Sequence, residues 1–174
     1  MNRRKLFLEF IVFQMLLNCN VSFAQTTFLK ANVGYGIWES FHGGLDLQIN
    51  NISFGLDVGT SFKTMPFDNK YYSVTIDNTF YWGKENKFNF KPWYFNDRLI
   101  YWNLSETNKT WRVLQFCPSI GREFNFNKNT GINLDFGPAI LLHADRDDYS
   151  DEKIGWIYPV YPECRIEFLY RFNK

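Results

Sequence analysis

Apolar and polar residues alternate along most of the chain with a period of two, interrupted by clusters of Asn, Gly, Asp and Lys. Successive side chains of a strand point to opposite faces, so this alternation predicts half-buried strands. Eight segments are expected, at about 28–38, 43–50, 52–62, 71–82, 88–103, 110–126, 131–144 and 155–172. In the first, Leu29, Ala31, Val33, Tyr35 and Ile37 share a face and Lys30, Asn32, Gly34 and Gly36 share the other. The last is the clearest: Ile166, Phe168, Tyr170 and Phe172 oppose Arg165, Glu167, Leu169 and Arg171. The fifth segment loses phase around Asn96-Asp97-Arg98, which predicts a β-bulge there. No segment between residues 25 and 174 has helical periodicity.

The links between segments predict the topology. Asn50-Asn51, Gly83–Lys87 and Asn127–Thr130 read as short turns, whereas Lys63–Lys70, Leu104–Lys109 and Asp145–Ile154 read as longer loops. Glu39–His42 is short where a long link is expected. Short turns at one end and loops at the other describe an all-β, eight-stranded antiparallel up-and-down barrel. Ten strands would leave too few residues for strand and loop together.

Residues 1–24 have a different pattern. Arg3, Arg4 and Lys5 precede an apolar run from Leu6 to Leu17, and Ser22-Phe23-Ala24 forms a small-x-small site before Gln25. This is the layout of a cleaved secretory signal peptide, leaving residues 25–174 as one domain. A buried amphipathic helix fits less well, because it would put Arg-Arg-Lys against a nearly continuous apolar run. A lipoprotein signal ending at Cys19 would place Asn18 where a small residue is expected. The run is also too short for a spanning helix, which needs about 20 apolar residues. After cleavage Cys117 and Cys164 remain, on opposite faces in this phasing, so two free thiols are expected rather than a disulfide.

Composition then bears on which face is inside. The chain holds 19 Lys and Arg against 18 Asp and Glu without a basic tract, which argues against nucleic acid as a partner. Of its 19 Phe, 10 Tyr and 6 Trp, the proposed outer face carries Tyr35, Tyr72, Phe80, Trp82, Phe88, Phe124, Phe126, Phe168, Tyr170 and Phe172 near segment ends, where membrane barrels carry aromatic girdles. The opposite face mixes single charges of both signs with Gly, Ser, Thr and Asn. Turning Arg165 or Arg171 to lipid would cost roughly 2–4 kcal/mol each at the midplane, so the charged face is expected inside. Closure then satisfies every backbone group without water.

With these ends and phases, the chain resembles the small eight-stranded outer-membrane β-barrel family of Gram-negative bacteria, the porin-like or OmpA/OmpX-type barrels. The resemblance covers residues 25–174, and its most specific piece is the alternating final strand closing on Phe172. Ile166, Phe168, Tyr170 and Phe172 resemble the signal read by the outer-membrane insertion machinery, although Asn173-Lys174 follow where the family usually ends at the aromatic. The resemblance implies a monomer in the outer membrane. Its partners are then the lipid bilayer, lipopolysaccharide and, during assembly, that machinery. Both chain ends would face the periplasm and the longer loops the exterior.

Candidate chemistry is sparse. Lys30, Asp46, Asp57, Asp77, Glu123, Asp135, His143, Arg165, Glu167 and Arg171 form an expected polar network inside the barrel, more suited to a plug of ion pairs than to a pore. His143-Ala144-Asp145, with Asp135 on the same face, resembles the His-x-Ser of lipid A deacylases, with Asp145 where the nucleophile belongs. Asp145, Asp147, Asp148, Asp151 and Glu152 make an acidic outer loop lacking the Gly and Glu of a helical calcium loop. Gly36-Ile37-Trp38 resembles the Gly-x-Trp of lipocalins, without its flanking residues. No catalytic residue, cofactor or metal site is therefore expected. The expected role is a non-enzymatic envelope structural or surface-interaction protein acting through its outer loops. The alternatives are a lipid A-modifying enzyme built around His143 and Asp145, or a soluble lipocalin-like lipid carrier.

Overall fold

The computed structural model describes residues 27–61, 70–106, 109–148 and 160–172. The expected signal segment, with Cys19, and residues Asp151 and Glu152 of the acidic loop lie outside the described residues. Eight strands follow one another: β1 (Thr27–Gly36), β2 (Ser40–Ile49), β3 (Ile52–Thr60), β4 (Lys70–Trp82), β5 (Trp93–Glu106), β6 (Lys109–Asn125), β7 (Thr130–Asp148) and β8 (Val160–Phe172). Each pairs antiparallel with its sequence neighbours, and β1 also pairs with β8 through Leu29 to Phe172 and Gly36 to Arg165. The sheet is thus a closed barrel without edges, as the alternation predicts.

The links differ from expectation in length. The turn end of the barrel holds residues 50–51, 83–92 and 126–129, and the loop end holds 37–39, 61–69, 107–108 and 149–159. A regular contrast between short turns and long loops is therefore not present, and sidedness does not follow from link length. The cause at the turn end is Asn86. Its Oδ1 accepts the N–H groups of Phe88 and Phe90 at 2.9 and 3.2 Å, and Asn89 takes a positive φ of 66°. Phe88 and Phe90, expected in the fifth strand, are consumed by this turn, and pairing starts only after Pro92, which has no N–H to give. Asn50 supplies the other tight turn with φ 53°, a conformation Asn tolerates.

The expected bulge in the fifth segment is absent. β5 runs in unbroken register with β4 and β6, with Tyr94, Asn96, Arg98 and Ile100 buried in strict alternation. The apparent loss of phase comes from Asp97, which occupies an outward position between Asn78 and Pro118. The irregularity lies instead in β7. Gln115 pairs with Leu141 and Leu114 with His143, so Leu142 is an extra residue. That insertion reverses the phase of the strand beyond it.

The interior is filled by side chains. Arg98, Arg171, Tyr94 and Lys30 are among the largest fully buried residues. Gly121 leaves room for the Tyr94 ring, which occupies the space a Cβ would need. An apolar patch of Ile100, Cys117 and Ala139 lies nearer the loop end, with Trp38, Trp102 and Tyr161 packed on it.

Candidate functional site

Strand phase turns charged side chains inward from every part of the barrel, and they meet in two groups. At the turn end the Lys30 ammonium donates to the Tyr81 hydroxyl at 2.7 Å, lies 3.7 Å from Asp46 and sits 4.9 Å from the Tyr81 ring centroid. Arg171 pairs with Glu123 and lies over the Phe90 ring at 4.1 Å. In the middle, Arg98 donates to Asp135 at 2.7 Å and to Glu39 at 3.3 Å. Arg165 donates to Asp57 at 2.8 Å, to Glu39 at 3.3 Å and to Glu167. His42 Nε2 and Asn133 also meet Glu167, at 3.1 and 3.3 Å. Charge-assisted bonds of this kind hold their partners in fixed geometry and strengthen in a low-dielectric interior.

Glu39 is the unexpected member. It belongs to the link between β1 and β2, yet its side chain is fully buried between two guanidinium groups. Gly36 permits this, since a Cβ there would lie 2.7 Å from Glu39 Oε2. Burial alone would raise its carboxyl pKa, but Arg165 and Arg98 outweigh that and hold it below the usual carboxylate value.

Of the ten residues expected in the interior, Lys30, Asp46, Asp57, Asp77, Glu123, Asp135, Arg165, Glu167 and Arg171 are buried there. His143 is not. The Leu142 insertion turns it to the exposed outer face opposite Leu114, so it no longer shares a face with Asp135, which bonds Arg98 and Tyr94 inside. Asp145 is also exposed and sits 3.6 Å from Arg112. The grouping of His143 with Asp135 is corrected accordingly. Of the acidic loop, Asp147 and Asp148 fall at the end of β7.

Among the described residues, sequence reasoning missed four charged or histidine side chains of the interior: Glu39, His42, Arg98 and Glu163. Glu163 shares the parity of Arg165 and Glu167, and Arg98 that of Asn96 and Ile100, so both were open to an extended reading of phase. Glu39 and His42 carried no such signal, being assigned to a link.

The outer face is the converse of this interior. Among the described residues twenty-seven large hydrophobic side chains are exposed and seven hydrophobic residues are buried. Phe54, Phe80, Trp93, Phe124, Tyr170 and Phe172 gather toward the turn end, with Tyr35, Phe41 and Tyr72 toward the loop end. Ile166, Phe168, Tyr170 and Phe172 line the outer face of β8. Cys117 is buried and Cys164 exposed, both free.

Among the described residues, recesses open on the interior at both ends. One, of about 530 Å³, lies at the turn end beside Gln48, Tyr81, Glu85 and Phe90. The other, about 270 Å³, lies at the loop end among Trp38, Trp102, Trp111, Leu141 and Tyr161. Trp38 stacks on Trp102 with ring centroids 6.3 Å apart and donates to the Pro162 carbonyl at 3.3 Å. The Gly36-Ile37-Trp38 segment thus serves to cap the interior. No known family and no curated protein matches the chain.

Proposed function

We propose that the chain is an integral outer-membrane β-barrel with a non-enzymatic structural or surface-interaction role. The observation that carries this reading is the inverted polarity of a closed barrel: hydrophobic side chains cover the outside and charges fill the inside. Burying a Val, Leu, Ile or Phe side chain is worth about 1.5–3 kcal/mol. A barrel in water would forgo much of that at each exposed site, whereas lipid recovers it. Patches of this extent otherwise mark interaction or aggregation surfaces.

The interior supports a plug rather than a conduit, because ion pairs joining β5 to β7, and β5 to β8 through Glu39 of the first link, cross the space a channel would need. His143 and Asp145 lie outside the barrel without a serine in the His-x-Ser position, which favours the non-enzymatic reading over lipid A hydrolysis. Surface interaction is assigned to the loop end, where Arg112 and Asp145 are exposed.

Membrane fractionation with gel mobility of unheated and boiled samples tests the reading. The expected result is a carbonate-resistant outer-membrane band that shifts on boiling. A soluble, unshifted band would overturn it in favour of a lipid-carrying protein. A lipid A species that disappears with His143→Ala would overturn the non-enzymatic part alone.

A further inference from the structure

The buried charges do not balance. Among the described residues eight buried carboxylates face four Lys or Arg side chains and His42. The excess is concentrated on β2, β3 and β4. Asp46 and Asp77 flank Gly55 in one cross-strand row, and Asp57 lies two residues further along β3 on the same face. Each offers an oxygen, and the three oxygens lie within 4.8 Å of one another. Gly55 makes the approach possible, since Asp46 Oδ1 and Asp77 Oδ2 both crowd the space its Cβ would fill.

Their other interactions leave this cluster under-neutralised. Arg165 binds Asp57 Oδ2 at 2.8 Å, and Lys30 lies 3.7 Å from Asp46 Oδ2. Asp77 has no ion-pair partner among the described residues, and it is only 4% exposed. Asp77 Oδ2 and Asp57 Oδ1 are buried without any hydrogen-bond partner. A buried carboxylate oxygen left this way is costly unless a cation or a proton meets it. The neighbouring trio of His42, Asp57 and Glu167 also has the spacing of a metal site, but a guanidinium already occupies it: Arg165 binds both carboxylates.

The geometry points to a site for one hard divalent cation, held by Asp46, Asp57 and Asp77 inside the barrel wall. Three carboxylates without His or Cys select oxygen-seeking ions such as Ca²⁺ over Zn²⁺ or Cu²⁺. The cation supplies two of the four positive charges that the basic side chains do not. This inference does not depend on where the barrel resides.

The test uses the full chain in detergent, freed of metal by chelator and dialysed against Ca²⁺. About one Ca²⁺ per chain is expected, with Asp77→Asn weakening binding by at least about tenfold, because affinity follows the ligand charge count. Asp145→Asn, on the outer surface, should bind as the parent does. Near-ultraviolet circular dichroism verifies that each variant has folded, wherever the barrel resides. A measurement without variants keeps the question decidable should Asp77→Asn not fold: Mn²⁺ added to the parent protein should broaden the Gly44 and Gly55 amide resonances first. Absence of Ca²⁺ at millimolar concentration, equal binding by folded Asp77→Asn, or Mn²⁺ broadening confined to other residues would each overturn the site. The first outcome, joined to a stabilised Asp77→Asn, would mean that a proton shared among the carboxylates does the neutralising.

Discussion

Glu39 illustrates how much one side chain from a link can hold. Its carboxylate joins Arg98 of β5 to Arg165 of β8, and neither guanidinium can find water in its place. Breaking a buried pair by removing one partner typically costs about 3–5 kcal/mol, and Arg98 and Arg165 keep other carboxylates, so Glu39→Gln is expected to lower the unfolding free energy read from urea midpoint and slope by up to that amount. The sign of the pH dependence follows from its lowered carboxyl pKa. Stability from Glu39 is fully present above its ordinary value of 4.5 and is lost as pH falls below that toward the folded value. Urea midpoints taken at stepwise lower pH should therefore decline less steeply in Glu39→Gln than in the parent. Parallel declines would mean that Glu39 is not a significant proton acceptor in acid unfolding. The two thiols give a second expectation at this scale: a hydrophobic maleimide should modify Cys164 in the folded protein and reach Cys117 only after boiling, since Cys164 is exposed and Cys117 buried.

At the scale of the element, Leu142 decides what β7 presents. With the insertion, His143 and Asp145 face outward and Ala144 lines the loop-end recess. In a chain with Cys117 and Cys164 replaced by Ser, a thiol introduced as His143→Cys should react with a bulky maleimide. One introduced as Ala139→Cys should not. A thiol at His143→Cys that stays as unreactive as the one at Ala139→Cys would remove the bulge. The eight strands and most of their faces were legible in the alternation, because each period-two segment has only two ways to lie and the charged set points to one. The bulge was not legible. Leu141 and Leu142 are both apolar, so the extra residue, Leu142, leaves the pattern on either side looking regular. Asp97 produced the opposite error, since a carboxylate at an outward position mimics a slip in register. Glu39 was hidden for another reason. Its inward turn depends on Arg98 and Arg165, which are 59 and 126 residues away in sequence.

For the whole molecule, the outer surface makes the sharpest distinction between environments. Leu56 lies on the outer face of β3 and is 56% exposed. In a bilayer Leu56→Arg should destabilise the folded barrel by about 2–4 kcal/mol if this position lies near the midplane. Around a water-soluble barrel the same change should be near neutral and should improve solubility. Unfolding of the parent and variant in lipid vesicles separates these outcomes.

The uneven division of interior charge also has a consequence for the order of assembly. Among the described residues, the first four strands and their links contribute one buried ammonium against four buried carboxylates, and the buried guanidinium groups all arrive with the later strands. Without a bound cation, a half-built barrel would hold an anionic lining opposed, among the described residues, by Lys30 and His42 alone. If the barrel inserts into a bilayer as proposed, insertion hairpin by hairpin would be disfavoured until Arg98 and Arg165 reach the early strands. The closing seam between β1 and β8 then forms as part of the same event that neutralises the interior.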